Sequence, residues 1–203
     1  MSERDRRMPW PLLAVGGTLL VTLLSFPLFV LPSVDAPEEI RDAPVDAVAV
    51  LGGGQRERIA TAHTVLPRLR VPAPDLLLSV PYEAPLLICG DAPGLSQVTV
   101  RCFVPEPMTT SGEAASIVTM AAEEGWSRIV VVTSDYHVTR ARILVSRCVE
   151  RLAPDLEVLW IAGDTAAASV RGLWAVATEW PSLLGTPWDH QPACRGEPGL
   201  PDD

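Results

Sequence analysis

The chain has 203 residues and a formal net charge of −9, enough length for one well-filled core but not for two once the apolar N-terminus is assigned a separate job. Its acidic balance argues against nucleic acid as a partner, because binding a phosphate backbone needs clustered cations that release counterions. All 16 basic residues are Arg, and Lys and Asn are both absent; this removes lysine-dependent phosphate loops and Schiff-base chemistry and leaves guanidinium forks to hold any bound anion.

In chain order, residues 1–9 carry Arg4, Arg6 and Arg7, and residues 10–32, from Trp10 onward, carry no charge. About 20 apolar residues suffice for a helix to cross the hydrocarbon of a bilayer, so this segment is expected to be a transmembrane helix lying in membrane lipid. Pro11 falls in its first turn, where a missing N–H costs little, and Pro27 is placed to kink its far end. Asp35, Glu38, Glu39 and Asp42 dominate the tether, residues 33–44. The positive-inside rule then puts the N-terminus in the cytoplasm and the rest of the chain outside, as a single-pass protein of the cytoplasmic membrane. Two alternatives stay open. A cleaved signal peptide would have to use Val34-Asp35-Ala36, a poor cleavage site, after a run longer than the usual apolar region. The other is a buried core helix, which an uninterrupted, all-round apolar run at the extreme N-terminus fits less well than a membrane span.

The elements expected in residues 45–185 alternate. Val45–Leu51 reads as a buried strand ending in Gly52-Gly53-Gly54, Arg56–Leu69 as a helix, and Asp75–Val80 as a strand. A Pro- and Gly-containing loop, 81–96, leads to a strand at Val98–Val104, a helix at Ser111–Glu124 and a very apolar strand at Arg128–Thr133. A helix at Val138–Arg151, a strand at Leu156–Ala162 and a helix at Ala166–Leu184 complete the series, and residues 186–203 form a tail rich in Pro, Gly and Asp. Parallel strands need crossovers, which the helices supply, so the fold class is α/β: a Rossmann-like parallel sheet with helices on both faces. Ligands of such sheets sit beyond the carboxyl ends of the strands. Cys89, Cys102, Cys148 and Cys194 give an even count, as a disulfide-tolerant compartment allows. Of three connectivities, one joins Cys89 to Cys102 around the Gly/Pro loop and Cys148 to Cys194 in the tail. No pair has metal-site spacing.

Two places carry candidate chemistry. The glycine turn at residues 52–54 opens a helix whose N–H groups can receive an anion, with Arg56 or Arg58 beside it; a tight turn that simply needs glycine explains the same residues. The run Thr133-Ser134-Asp135-Tyr136-His137, with Arg140 and Arg142 after it, follows the most apolar strand. His137 is a candidate general acid or base, Asp135 its orienter or a proton acceptor, and Ser134 a binding or attacking hydroxyl. The plain alternative is that Ser134 or Asp135 caps the next helix. Trp126, Trp160, Trp174 and Trp180 read as packing residues, the last two also as membrane-facing.

The segment IVVVTSDYHVTRAR, the strand-turn DAVAVLGGG with Arg58 downstream, and Glu106 followed by TTSGEA resemble the YdcF/SanA/ElyC-like domain of unknown function over most of residues 46–150. The resemblance implies a Rossmann-like fold, often membrane-anchored with the domain outside, and a role in envelope biogenesis. It selects Gly52, Gly53, Gly54, Arg58, Glu106, Glu113, Ser134, His137 and Arg140; His137 and Glu113, with Asp135, are taken as the candidate catalytic groups and the others as ligand-binding positions. The chain departs from the family at Ser79-Val80-Pro81, where Ser-Gly-Gly is usual, and in lacking the Asn of the motif before the following helix. The expected ligand is small and anionic, phosphorylated or nucleotide-like, with no cofactor identified. Glu113 serves equally well as an ordinary first-turn acid favoured by the helix dipole. An enzyme and a non-catalytic sensing or scaffold module are both compatible with these residues.

Overall fold

The computed structural model describes residues 10, 15–17, 20, 21, 24, 44–53, 55–69, 75–80, 89, 98–163, 174, 178, 179, 181–183, 185, 186 and 194. Among them five strands and three α-helices are defined in the order β1 (Ala47–Val50), α1 (Gln55–Val65), β2 (Asp75–Ser79), β3 (Val100–Phe103), α2 (Thr110–Glu124), β4 (Arg128–Ser134), α3 (Asp135–Leu152) and β5 (Glu157–Gly163). The sheet order is β3-β2-β1-β4-β5, and every pairing is parallel. The α/β class and the parallel sheet are thus as the alternating pattern implied.

The central strands are apolar through their middles, at 47–50, 76–78 and 129–132, because both faces of the sheet are covered there. Along β1, Ala47 and Ala49 join one core with Leu77, Ile129 and Val131, under the Ala114, Ile117 and Val118 face of α2 and the Ala141, Leu144 and Val145 face of α3. Val48 and Val50 point the other way, into a core with Leu76, Leu78, Val130, Val132 and Ala62 and Val65 of α1. One helix on one face and two on the other follow from right-handed crossovers: β1 leaves toward β2, whereas β3 and β4 leave in the opposite direction. The point where the directions diverge lies between β1 and β4, which pair from Ala47↔Ile129 to Val50↔Val132.

At the amino ends of the strands, Asp46 stitches β1 to β4. Its Oδ2 accepts from Ser127 N at 2.7 Å, Ser127 Oγ at 3.1 Å and Arg128 N at 2.9 Å. This explains the one charge in the apolar run Val45–Leu51. Helix α2 starts at an N-cap Thr109, whose hydroxyl accepts from Gly112 N at 3.3 Å, and stops at Gly125, where φ is +68°.

Several boundaries differ from expectation: the first strand is Ala47–Val50, and the first α-helix ends at Val65, with a 3-10 turn at Leu66–Arg68 in place of its expected end. The strand expected over Val98–Val104 is limited to Val100–Phe103 and is only half-buried, as suits the sheet edge. The helix expected from Val138 begins at Asp135, so the polar run after β4 is the first turn of α3 and not a loop. Polar side chains hide helical periodicity there, yet an acid at a helix start is favoured by the dipole.

Both cysteine pairs are disulfides: Cys89–Cys102, joining the 81–96 segment to β3, and Cys148–Cys194, joining α3 to the tail. Of the last expected helix, residues 174, 178, 179 and 181–183 are described, and they are helical. Most of the apolar N-terminal segment lies outside the described residues. Among the described residues no helix is long and apolar enough to cross a membrane. Trp160 is buried under the Arg142 guanidinium, 5.5 Å from the ring centre, whereas Trp174 is exposed.

Candidate functional site

Beyond the carboxyl ends of β1, β2 and β4 lies a cavity of about 720 Å³, at the point of diverging crossovers where open α/β sheets bind ligands. Each wall comes from a different element. Gly52 and Gly53 follow β1, Arg58 comes from the first turns of α1, and Ser79 and Val80 end β2. Met108, Thr109, Thr110 and Glu113 belong to the start of α2, Tyr136, His137 and Arg140 to the start of α3, and Glu179 to the C-terminal segment.

The turn needs glycine twice. Gly53 has φ of +77°, where an L-side chain is strained. A Cβ on Gly52 would stand 3.1 Å from Glu113 Oε1 and 3.3 Å from Ser79 Oγ. That closeness has a purpose: Gly52 N donates to Glu113 Oε1 at 2.5 Å. The backbone N–H expected to receive a ligand anion is therefore already occupied by a carboxylate of the chain itself.

Arg58 is 2% exposed. Its Nε donates to Ser134 Oγ at 2.9 Å, and its Nη1 donates to the carbonyls of Leu51, at 3.0 Å, and Gly52. The guanidinium ties the end of β1 to the end of β4. Burial lowers its pKa, against the opposing influence of Tyr136, Glu113 and Glu179, but an Arg side chain keeps its charge in proteins. Ser134 occupies the N-cap position of α3 and makes no capping bond, because its hydroxyl serves Arg58.

His137, 5% exposed, is held at both ring nitrogens. Its Nε2 lies 3.3 Å from Thr110 Oγ1, and its Nδ1 lies 3.2 Å from Glu179 Oε1. Arg140 donates to the same carboxylate, Nε to Oε2 at 2.7 Å and Nη2 to Oε1 at 3.1 Å. Burial alone would raise the Glu179 pKa, but the hydrogen bonds and charges of His137 and Arg140 outweigh it and hold the carboxyl down at about 2. Arg140 Nη2 is also 3.4 Å from His137 Nδ1. That contact is the longer one, and the Nη2 proton is better placed on Glu179.

Of the positions singled out from the sequence, Gly52, Gly53, Arg58, Glu113, His137 and Arg140 line this cavity. Ser134 lies behind the wall, buried against Arg58. Asp135 and Glu106 are not in the lining. Asp135 accepts from Tyr136 N at 2.6 Å in the first turn of α3, and Glu106 is exposed. Gly54 lies outside the described residues.

Sequence reasoning missed Glu179, Thr110 and Tyr136. Glu179 had a signal: it is the lone charge between residues 172 and 188, and a solitary carboxylate in an apolar stretch calls for a cationic partner. Among the described residues no group of His, Cys, Asp and Glu is arranged to hold a metal ion.

Fold and cavity together define an open, parallel α/β domain with a buried, charge-balanced polar site at its switch point. In comparison with known proteins, no family model matches the chain, and no curated protein or solved structure matches it significantly.

Proposed function

We propose that this chain is a membrane-anchored, extracytoplasmic domain of the YdcF/SanA/ElyC-like kind, acting in cell-envelope biogenesis on a small anionic ligand, phosphorylated or nucleotide-like. The observation that carries the ligand reading is convergence. Two guanidinium groups and an imidazole, from α1 and α3, face one cavity beside the Gly52-Gly53 turn. Glu113 and Glu179 balance them in the free protein, and a ligand anion competes with these carboxylates for the same donors. Anchoring draws support from the uncharged run at residues 10–32 and from the described side chains within it: Trp10, Val15, Leu20, Val21 and Leu24 are all exposed large hydrophobics, surface that lipid would cover.

The test is a thermal-shift screen of the full chain in detergent against nucleotides, sugar phosphates and polyprenyl phosphates. A ligand at 100 times its Kd stabilises by about 2.7 kcal/mol. A shift lost in both His137→Ala and Arg140→Ala supports the reading; a folded wild-type chain that responds to none of the three classes overturns it. A second reading, a module that senses the ligand without turning it over, is favoured by one fact: the Arg140 guanidinium is already committed to Glu179 through two hydrogen bonds.

A further inference from the structure

The three groups Thr110, His137 and Glu179 come from α2, α3 and the C-terminal segment, and they form an unbroken polar chain along one wall of the cavity. A carboxylate only accepts hydrogen bonds, so the Nδ1 facing Glu179 carries the ring proton of the neutral imidazole. Nε2 is then the lone-pair nitrogen, and the Thr110 hydroxyl donates to it. All three members line the cavity, where a ligand can meet them. Arg140 braces Glu179 through Nε to Oε2 and through Nη2 to Oε1, the oxygen that the imidazole also faces. A hydroxyl, an imidazole and a half-buried carboxylate joined in this sequence form the constellation that activates an alcohol as a nucleophile, and it is recognised by geometry and not by fold or order in the chain.

From this geometry we infer that Thr110 is a nucleophile, His137 its general base and Glu179 the positioning residue of a hydrolytic site for a carboxylic ester. The inference rests on the proposed ligand reading only for the anionic group that would anchor such an ester near the arginines. In the first half-reaction Thr110 Oγ1 attacks the acyl carbon while its proton passes to His137 Nε2. The tetrahedral centre then expels the alcohol oxygen, which leaves with that proton and breaks the ester bond. In the second half-reaction a water molecule gives a proton to Nε2 and attacks the Thr110 acyl ester, and the carboxylic acid departs as the proton returns to Thr110 Oγ1. Glu179 stays ionised throughout, held by its two hydrogen bonds from the Arg140 guanidinium. The Arg58 guanidinium and the first-turn N–H groups of α2 supply positive potential for the oxyanion.

The experiment uses the full chain in detergent and an alkyl fluorophosphonate with an uncharged tail, which needs no anion site. Attack by Thr110 Oγ1 forms an oxygen–phosphorus bond, fluoride leaves, and His137 takes the proton. Intact-mass and peptide spectra are expected to show one adduct, on Thr110, absent in Thr110→Val and His137→Ala and retained in Thr110→Ser. Melting curves identify any variant that has unfolded, and Thr110→Ser keeps the test decisive should Thr110→Val fail to fold. Glu179→Gln is expected to lower the labelling rate constant kinact by about 100- to 10,000-fold while leaving KI for the probe unchanged, with partial recovery in Glu179→Asp. An unlabelled, folded wild-type chain, or an adduct on Tyr136, Ser111 or Ser79 instead, overturns the inference. So does a Glu179→Gln variant labelled at the wild-type kinact. If phosphates and nucleotides stabilise the chain but the probe does not label it, this inference falls alone; if the probe labels Thr110 and no anion binds, the anionic-ligand reading falls alone.

Discussion

At Gly112 the start of α2 presses against the preceding loop so closely that an added Cβ would collide with the Pro107 carbonyl oxygen. At Gly53 the constraint is conformational, with φ of +77° and Arg58 Nη1 3.9 Å from where a Cβ would lie. The two substitutions should therefore fail differently. Gly53→Ala is expected to cost about 1–2 kcal/mol through the left-handed backbone, and Gly112→Ala about 1–3 kcal/mol through overpacking. Urea unfolding of each variant checks both values. Glu179 adds a pH dependence of definite sign. Its carboxyl is lowered from 4.5 to about 2 in the folded chain, so the stability it contributes is present above about pH 4.5 and is lost as the pH falls toward 2. After allowance for solvent screening this amounts to on the order of 1–2 kcal/mol. Acid titration of the unfolding free energy should show a shallower fall across that window in Glu179→Gln than in the wild type.

Among the elements, those buried on both faces were the most legible. The continuous apolar run Ile129–Val132 admits few alternatives to a buried strand when Arg128 precedes it and helical periodicity follows. The start of α3 was less legible because its first three residues, Asp135, Tyr136 and His137, are polar or face the cavity, and the periodic apolar face begins only at Val138. Gly52, Gly53, Arg58, Glu113, His137 and Arg140 were readable as cavity residues because each lies next to a strand end or in the first two turns of a helix. Glu179 was not, since its partners Arg140 and His137 are about 40 positions away in sequence and only the tertiary fold brings them together. The same C-terminal segment is fastened to α3 at two further points, where Arg147 Nη1 donates to the Thr186 carbonyl at 2.7 Å and Cys148 bonds Cys194. In the chain-entropy description a bridge across 46 positions stabilises by about 4 kcal/mol, and one across 13 positions by about 3 kcal/mol. Cys148→Ser/Cys194→Ser is therefore expected to lose more stability in urea than Cys89→Ser/Cys102→Ser, a ranking that paired denaturation curves would decide.

For the whole molecule, the acidic body and the Arg-bearing N-terminus separate charge across the uncharged run at residues 10–32, and the proposed topology follows from that asymmetry. Membranes from cells producing the full chain, washed with alkaline carbonate, should retain it. Release into the wash would exclude a spanning anchor, and maleimide labelling before and after reduction would show whether all four cysteines are oxidised in the cell. A protein retained on the membrane with no thiol labelled before reduction supports the external placement. Four maleimide adducts without reduction would place the domain on the cytoplasmic side.

The Cys148–Cys194 bridge also orders events in the life of the chain. The cavity residues between Gly52 and Arg140 lie on the strands and helices of the sheet or on the turns that adjoin them, whereas Glu179 lies between Arg140 and Cys194 in sequence, on a segment whose far end is clasped to α3. A newly made chain with its cysteines still as thiols holds the imidazole and both arginines but lacks the covalent clasp behind its second carboxylate. Oxidation is then a maturation step for the cavity as well as for the fold, and a chain retained among reducing thiols is left with that clasp open.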